Sequence, residues 1–172
     1  MRATERGFSM VEASVATALV AGTLMMAARW VVDGAQVSAR SGTASVAAVL
    51  AAHKLEQLRA LRWTVDTLGV RRADLAADTA VDPPTAGGGL GLSVSPPGTL
   101  DADVPGYVDF VTAAARPVST RVGAAYVRRW AITPLAFAPD DAVLIDVCVA
   151  PASSHAASEA VCTAGVRTRG TR

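Results

Sequence analysis

The chain is poor in the residues that build reactive centres. It has two cysteines, two histidines and a single lysine, Lys54, beside 15 arginines in 172 residues. Two cysteines and two histidines are too few for a convincing zinc site. There is no GxSxG, no HExxH, no phosphate-binding loop, and no GxGxxG opening a helix after a strand. These absences argue against an enzyme, a resident cofactor or a metal. Charge of one sign is also missing: 16 basic and 15 acidic residues leave a net charge of +1. That balance, with no local basic cluster, excludes a nucleic-acid-binding surface. Proline is absent before Pro83. The length is that of one domain. A hydrophobic share of 51% excludes global disorder. The 36 alanines are a compositional bias that carries little structural information.

What is present is concentrated at the N-terminus. Residues 1–7 form a short leader with Arg2 and Arg6. An apolar run begins at Phe8 and reaches Ala28, 21 residues with Glu12 as the one charge. As a helix it is about 31 Å long, close to the hydrocarbon thickness of a bilayer. Arg29 and Trp30 close it with residues suited to the interface. The arginines of the leader orient the N-terminus to the cytoplasm, so the bulk of the chain is expected outside it. A secretory signal has a shorter apolar core and a small-residue cleavage site, for which Ala27-Ala28 is the candidate. A plain single-span anchor fits the length but gives Glu12 no purpose. A carboxylate in such a segment costs about 2.5–3.5 kcal/mol at the membrane centre and less near an end.

The sequence Gly7-Phe8-Ser9-Met10-Val11-Glu12 resembles the processing motif of the type IV pilin and pseudopilin family. The resemblance is sharp over residues 1–30 and looser beyond. It implies that a prepilin peptidase cuts after Gly7 and methylates the new N-terminal residue, Phe8. It also implies that Glu12 registers subunits by neutralising the amine of Phe8 on a neighbour. A glycine before the cut lets a peptidase approach the backbone closely. An ion pair gains strength where water is scarce. Many major pilins kink this helix with a proline that is missing here, which points to a minor subunit. The implied partners are the peptidase, other pilin or pseudopilin subunits, an inner-membrane assembly platform and membrane lipid. The implied location is the inner membrane, as a single-pass protein with its C-terminal domain extracytoplasmic, and then an envelope filament.

The rest of the chain reads as α+β: a long N-terminal helix, membrane-spanning in its first half, packed on a C-terminal antiparallel sheet. We divide it into the leader 1–7, a transmembrane or filament-core helix over 8–30, an extracytoplasmic amphipathic helix over 31–75, a Pro/Gly-rich connector over 76–106 and a sheet region over 107–172. Val46, Val49, Leu50, Leu55, Leu58 and Leu61 recur at helical spacing, with Lys54, Glu56, Gln57 and Arg59 interleaved. His53 reads as a solvated histidine. Gly91 to Ser95 is a candidate edge strand. Tyr107 to Thr112 alternates around Val108, Phe110 and Val111. Tyr126 to Thr133 and Ala142 to Val149 read as a hairpin, with Val143, Ile145, Val147 and Val149 on one face. Ala160 to Arg167 reads as a last strand and the tail from Thr168 as frayed. This hairpin, and the segment Ala-His-Lys-Leu-Glu-Gln-Leu-Arg-Ala-Leu, resemble minor pseudopilins and type IV pilus modification proteins.

Arg128 and Arg129 read as a pair on a strand's wet face. Asp140-Asp141 lacks the further oxygen ligands that calcium requires. Cys148 and Cys162 are expected in an oxidising compartment, where a bridge would staple the last strand to the hairpin. The alternative is two unpaired thiols. The function expected is that of a minor pilin or pseudopilin, in a type IV pilus or a type II secretion pseudopilus. The competing readings are a membrane-anchored, ligand-binding extracytoplasmic protein and a small secreted β-rich protein.

Overall fold

The computed structural model describes residues 9–154 and 159–171. They divide into two compact units, with the boundary between Gly42 and Thr43. One helix, α1 (Met10–Ala60), supplies almost all of the described part of the first unit and the start of the second. Among the described residues ten strands follow: β1 (Trp63–Val65), β2 (Arg71–Ala73), β3 (Ala77–Asp78), β4 (Thr85–Gly88), β5 (Val108–Val111), β6 (Pro117–Val118), β7 (Tyr126–Pro134), β8 (Ala142–Pro151), β9 (Val161–Thr168) and β10 (Gly170–Thr171). The class is α+β.

In the first unit every residue of α1 is exposed. The helix is long and apolar enough to cross a membrane, and its most apolar window has no buried residue. Three of its hydroxyls are satisfied within the helix. Ser14 Oγ donates to Met10 O at 2.9 Å, Thr17 Oγ1 to Ala13 O at 2.7 Å and Thr23 Oγ1 to Val20 O at 2.9 Å. Polar groups bonded this way can sit in an apolar medium, where an unpaired hydroxyl would cost several kcal/mol, roughly.

In the second unit the last turns of α1 pack on a five-stranded sheet ordered β6-β5-β7-β8-β9, antiparallel throughout. Ala47, Leu50, Ala51, Leu55 and Leu58 form a stripe at helical spacing. They share one core with Trp130, Ile132, Ile145, Val147 and Val149. The β7–β8 pairing runs without a shift from Tyr126↔Pro151 to Pro134↔Val143. The one face expected for Val143, Ile145, Val147 and Val149 is the buried one. Gly165 of β9 lies so close to the helix that a Cβ there would stand 3.2 Å from Leu55 Cδ2.

Several elements differ from the sequence reading. The helix stops at Ala60 instead of running to residue 75. Trp63-Thr64-Val65 is aromatic and β-branched, and it takes up a strand. Asp66 then closes a turn by accepting from Leu68 N and Val70 N at 3.0 and 2.9 Å. The helix end is capped from elsewhere in the chain: the Arg167 guanidinium donates to Leu58 O at 3.1 Å and also to Arg59 O. The connector contains the β3–β4 pair. Gly91 to Ser95 is not a strand; it is latched to β7 by hydrogen bonds from Ser95 N to Ile132 O and from Ile132 N to Ser95 Oγ, both 3.0 Å. The tail is paired as well. β10 lies parallel to β1, joining Thr64 to Gly170 and Val65 to Thr171, in a small sheet ordered β10-β1-β2. In β5 the buried residues are Asp109 and Val111, while Val108 and Phe110 are only partly covered.

Candidate functional site

The motif that carries the family resemblance lies at the start of the described chain. Gly7 and Phe8 fall outside the described residues. Ser9 immediately precedes α1, and Ala13 N donates to Ser9 O at 3.1 Å. Glu12 therefore sits in the first turn. Ser9-Met10-Val11-Glu12 has the S-x-x-E spacing of a capping box. An acid there is favoured by the helix dipole, by about 0.3–1 kcal/mol in exposed settings. Glu12 is exposed, and among the described residues it has no ion-pair partner. Its carboxylate is thus placed at the end of an apolar helix, available to an external cation.

The second unit holds a group that the sequence reading did not foresee. Lys54, on α1, is fully buried although it lies among residues read as a polar face. Its Nζ stands 2.9 Å from Asp109 Oδ2 on β5 and also donates to Thr79 O. Arg128, on β7, clamps the same carboxylate, Nε to Oδ1 at 2.7 Å and Nη2 to Oδ2 at 2.8 Å. The ammonium lies 3.8 Å from the centroid of the Trp130 ring, a cation–π contact. Two buried cations thus share one buried anion. Burial pushes the Lys54 ammonium down from 10.5 to about 8; Asp109 resists that fall and Arg128 adds to it. The stripe itself held the missed signal. Lys54 lies three and four residues from Ala51, Leu50 and Leu58, all of them in the core. With no acid to reach, a lysine there would be intolerable.

Arg128 and Arg129 are not a surface pair. Adjacent strand residues point to opposite faces. Arg128 turns inward, and Arg129 turns outward to Asp103, with Nη2 to Oδ1 at 2.6 Å. Asp140 and Asp141 face Arg71 at 3.4 and 3.1 Å, and Asp141 also faces Arg169 at 3.3 Å. Arg169 in turn stacks over the Trp63 ring at 3.8 Å. His53 is exposed, with Nε2 3.5 Å from Asp82 Oδ2.

On the outer face of the sheet, Cys148 of β8 and Cys162 of β9 are direct cross-strand partners and form a disulfide. Beside them lies a cleft of about 450 Å³, with Asp101, Asp103, Arg121 and Arg129 on its walls. Arg121 Nε is buried without a hydrogen-bond partner among the described residues. No family model, curated protein or solved structure matches the chain.

Proposed function

We propose that this chain is a minor pilin or pseudopilin subunit, cut by a prepilin peptidase between Gly7 and Phe8 and methylated on Phe8. It acts by packing and not by catalysis. Subunits held in the inner membrane would be drawn by an assembly platform into a type IV pilus or a type II secretion pseudopilus. Their apolar helices would form the core, and Glu12 would meet the N-terminal amine of a neighbouring Phe8.

The observation that carries this reading is α1 itself. Its apolar window has no buried residue, the hydroxyls of Ser14, Thr17 and Thr23 are satisfied within the helix, and a lone carboxylate stands in its first turn. Such a helix needs an apolar environment, supplied by lipid or by other copies of the same helix. The carboxylate needs a cation at that depth. A new amino terminus created at Phe8 would be one.

The deciding experiment is the mass of the N-terminal peptide of the protein recovered from its host's membranes. A peptide starting at Phe8 with one added methyl group is expected. A start at Met1, with the host's peptidase shown active on another substrate, would replace this reading with a plain anchor. A start near Arg29 would mean a removed secretory signal. The anchored, ligand-binding reading draws on one observation of its own, the cleft in which Arg121 Nε lacks a partner.

A further inference from the structure

The cleft beside the disulfide lies on the face of the sheet that the last turns of α1 leave free. Arg129 turns outward from β7 and stands opposite Cys148 of β8, which stands opposite Cys162 of β9. That row crosses the outer face and floors the cleft. Ala150, two residues along β8 on the same side, is buried. Two turns raise the walls. One is closed by Asp101 N donating to Gly98 O at 3.0 Å, the other by Ala124 N donating to Arg121 O at 3.1 Å. Gly98 and Gly123 hold them at φ +77° and +85°, which L side chains rarely adopt. A volume of about 450 Å³ is within the range of small-molecule sites.

The four charged residues of the cleft are not equivalent. Asp103 Oδ1 accepts from Arg129 Nε at 2.9 Å and from Nη2 at 2.6 Å, so that pair is closed. The Arg121 side chain has no hydrogen bond or ion pair among the described residues. Its Nε is covered by neighbouring atoms, while its two Nη groups are not enclosed. The exposed carboxylate of Asp101 has no partner among the described residues either, and the two do not pair with each other. The cleft thus holds one unpaired cation and one unpaired anion over a floor of disulfide and alanine. A simple anion would satisfy Arg121 and be repelled by Asp101. A molecule carrying both charges satisfies both.

We propose that this cleft binds a small zwitterion of amino-acid type, a free amino acid or a dipeptide. Its carboxylate lies on the Arg121 Nη groups, its ammonium on Asp101, and an apolar side chain on the floor. Arg129 stays with Asp103. The end of this chain is not the occupant: β10 pairs with β1, and Arg169 N is bonded to Asp141 O, at the opposite end of β8 from Cys148. The site does not depend on the filament reading, because its face is the one turned away from α1.

The test is isothermal titration calorimetry on the full chain in a non-ionic detergent, which adds no competing charge. The probes are L-leucine and L-alanyl-L-leucine, with N-acetyl-L-leucine lacking the cation and L-leucinamide lacking the anion. Saturable binding of leucine or the dipeptide is expected, with both blocked probes about tenfold or more weaker. Binding of leucine alone identifies a free amino acid as the ligand, and binding of the dipeptide alone identifies a short peptide. Arg121→Gln should weaken the zwitterion about tenfold or more, and Asp101→Asn should do the same without weakening N-acetyl-L-leucine. Neither side chain makes a bond among the described residues, so both variants keep the fold. Arg116→Gln, at an exposed position outside the cleft, should change nothing. The proposal fails if neither zwitterion binds at millimolar concentration, if a blocked probe binds as tightly, or if Arg121→Gln leaves the affinity unchanged. It also fails if Asp101→Asn strengthens binding, which would make Asp101 a competitor for Arg121 and not a contact of the ligand.

Discussion

Lys54 and Asp109 meet in the interior, Nζ to Oδ2 at 2.9 Å, from a helix and a strand far apart in the chain. With Arg128 on the same carboxylate they form a buried triad with one more cation than anion. The triad links α1 to β5 and β7. Buried ion pairs add little net stability over apolar packing, but breaking one is costly.

The carboxylate is the keystone of that group. Asp109→Asn leaves two buried like charges without an anion, and should destabilise the second unit by about 3–5 kcal/mol. Chemical denaturation of the full chain in detergent, followed by tryptophan fluorescence, measures it. A loss below about 1 kcal/mol, the worth of an exposed pair, would mean that the cations reach solvent.

The triad also predicts a pH dependence. Between about 8 and 10.5 the folded chain has released the Lys54 proton while the unfolded chain still holds it. The unfolded state then binds more protons, so this contribution to stability rises with pH across the window, by at most about 3 kcal/mol. Burial raises the pKa of the Tyr107 hydroxyl, which acts in the opposite direction at the alkaline end. Lys54→Met separates the two. Asp109 keeps its two bonds to Arg128, stability near pH 7 should be retained, and the rise above pH 8 should disappear. Denaturation midpoints at pH 7.5 and 10 for both proteins are the check.

The disulfide closes a separation of 14 residues on the outer face of the sheet, away from the core. Reduction, or the pair Cys148→Ser and Cys162→Ser, should cost about 3 kcal/mol by loop closure. The sheet should nonetheless persist, because β8 and β9 keep their ladder. Loss of strand signal in circular dichroism on reduction at room temperature would show that the ladder depends on the bridge.

On the filament reading, Glu12→Ala should leave leader removal intact and reduce incorporation into filaments about tenfold or more, one lost ion pair per subunit contact. Comparing the variant in sheared filaments and in membranes measures it. Normal incorporation would leave Glu12 with only its place in the first turn.

The outline of the molecule was legible in the chain. A long apolar run without proline, a stripe of apolar residues at helical spacing, two hairpin runs parted by a turn and a final segment able to pair as a last strand correspond to α1, β7, β8 and β9. Each depends on periodicity within one element. The end of α1 was not legible, because its last carbonyls are capped by Arg167, more than a hundred residues on. The pairing of β10 with β1 was hidden for the same reason, since parallel neighbours bring together distant, very short segments.

The sequence by itself determined that a long apolar helix comes first in the described chain, that Glu12 lies within it, and which residues of the hairpin face inward. Those follow from local spacing and from the cost of a charge in an apolar medium. Only the tertiary structure decided that Lys54 is interior, that Asp109 and not Phe110 faces the core, and that Arg128 and Arg129 part company. A charged side chain is buried only when a counter-charge from another element meets it. That meeting is a property of the folded sheet against the helix, which no single stretch of residues contains.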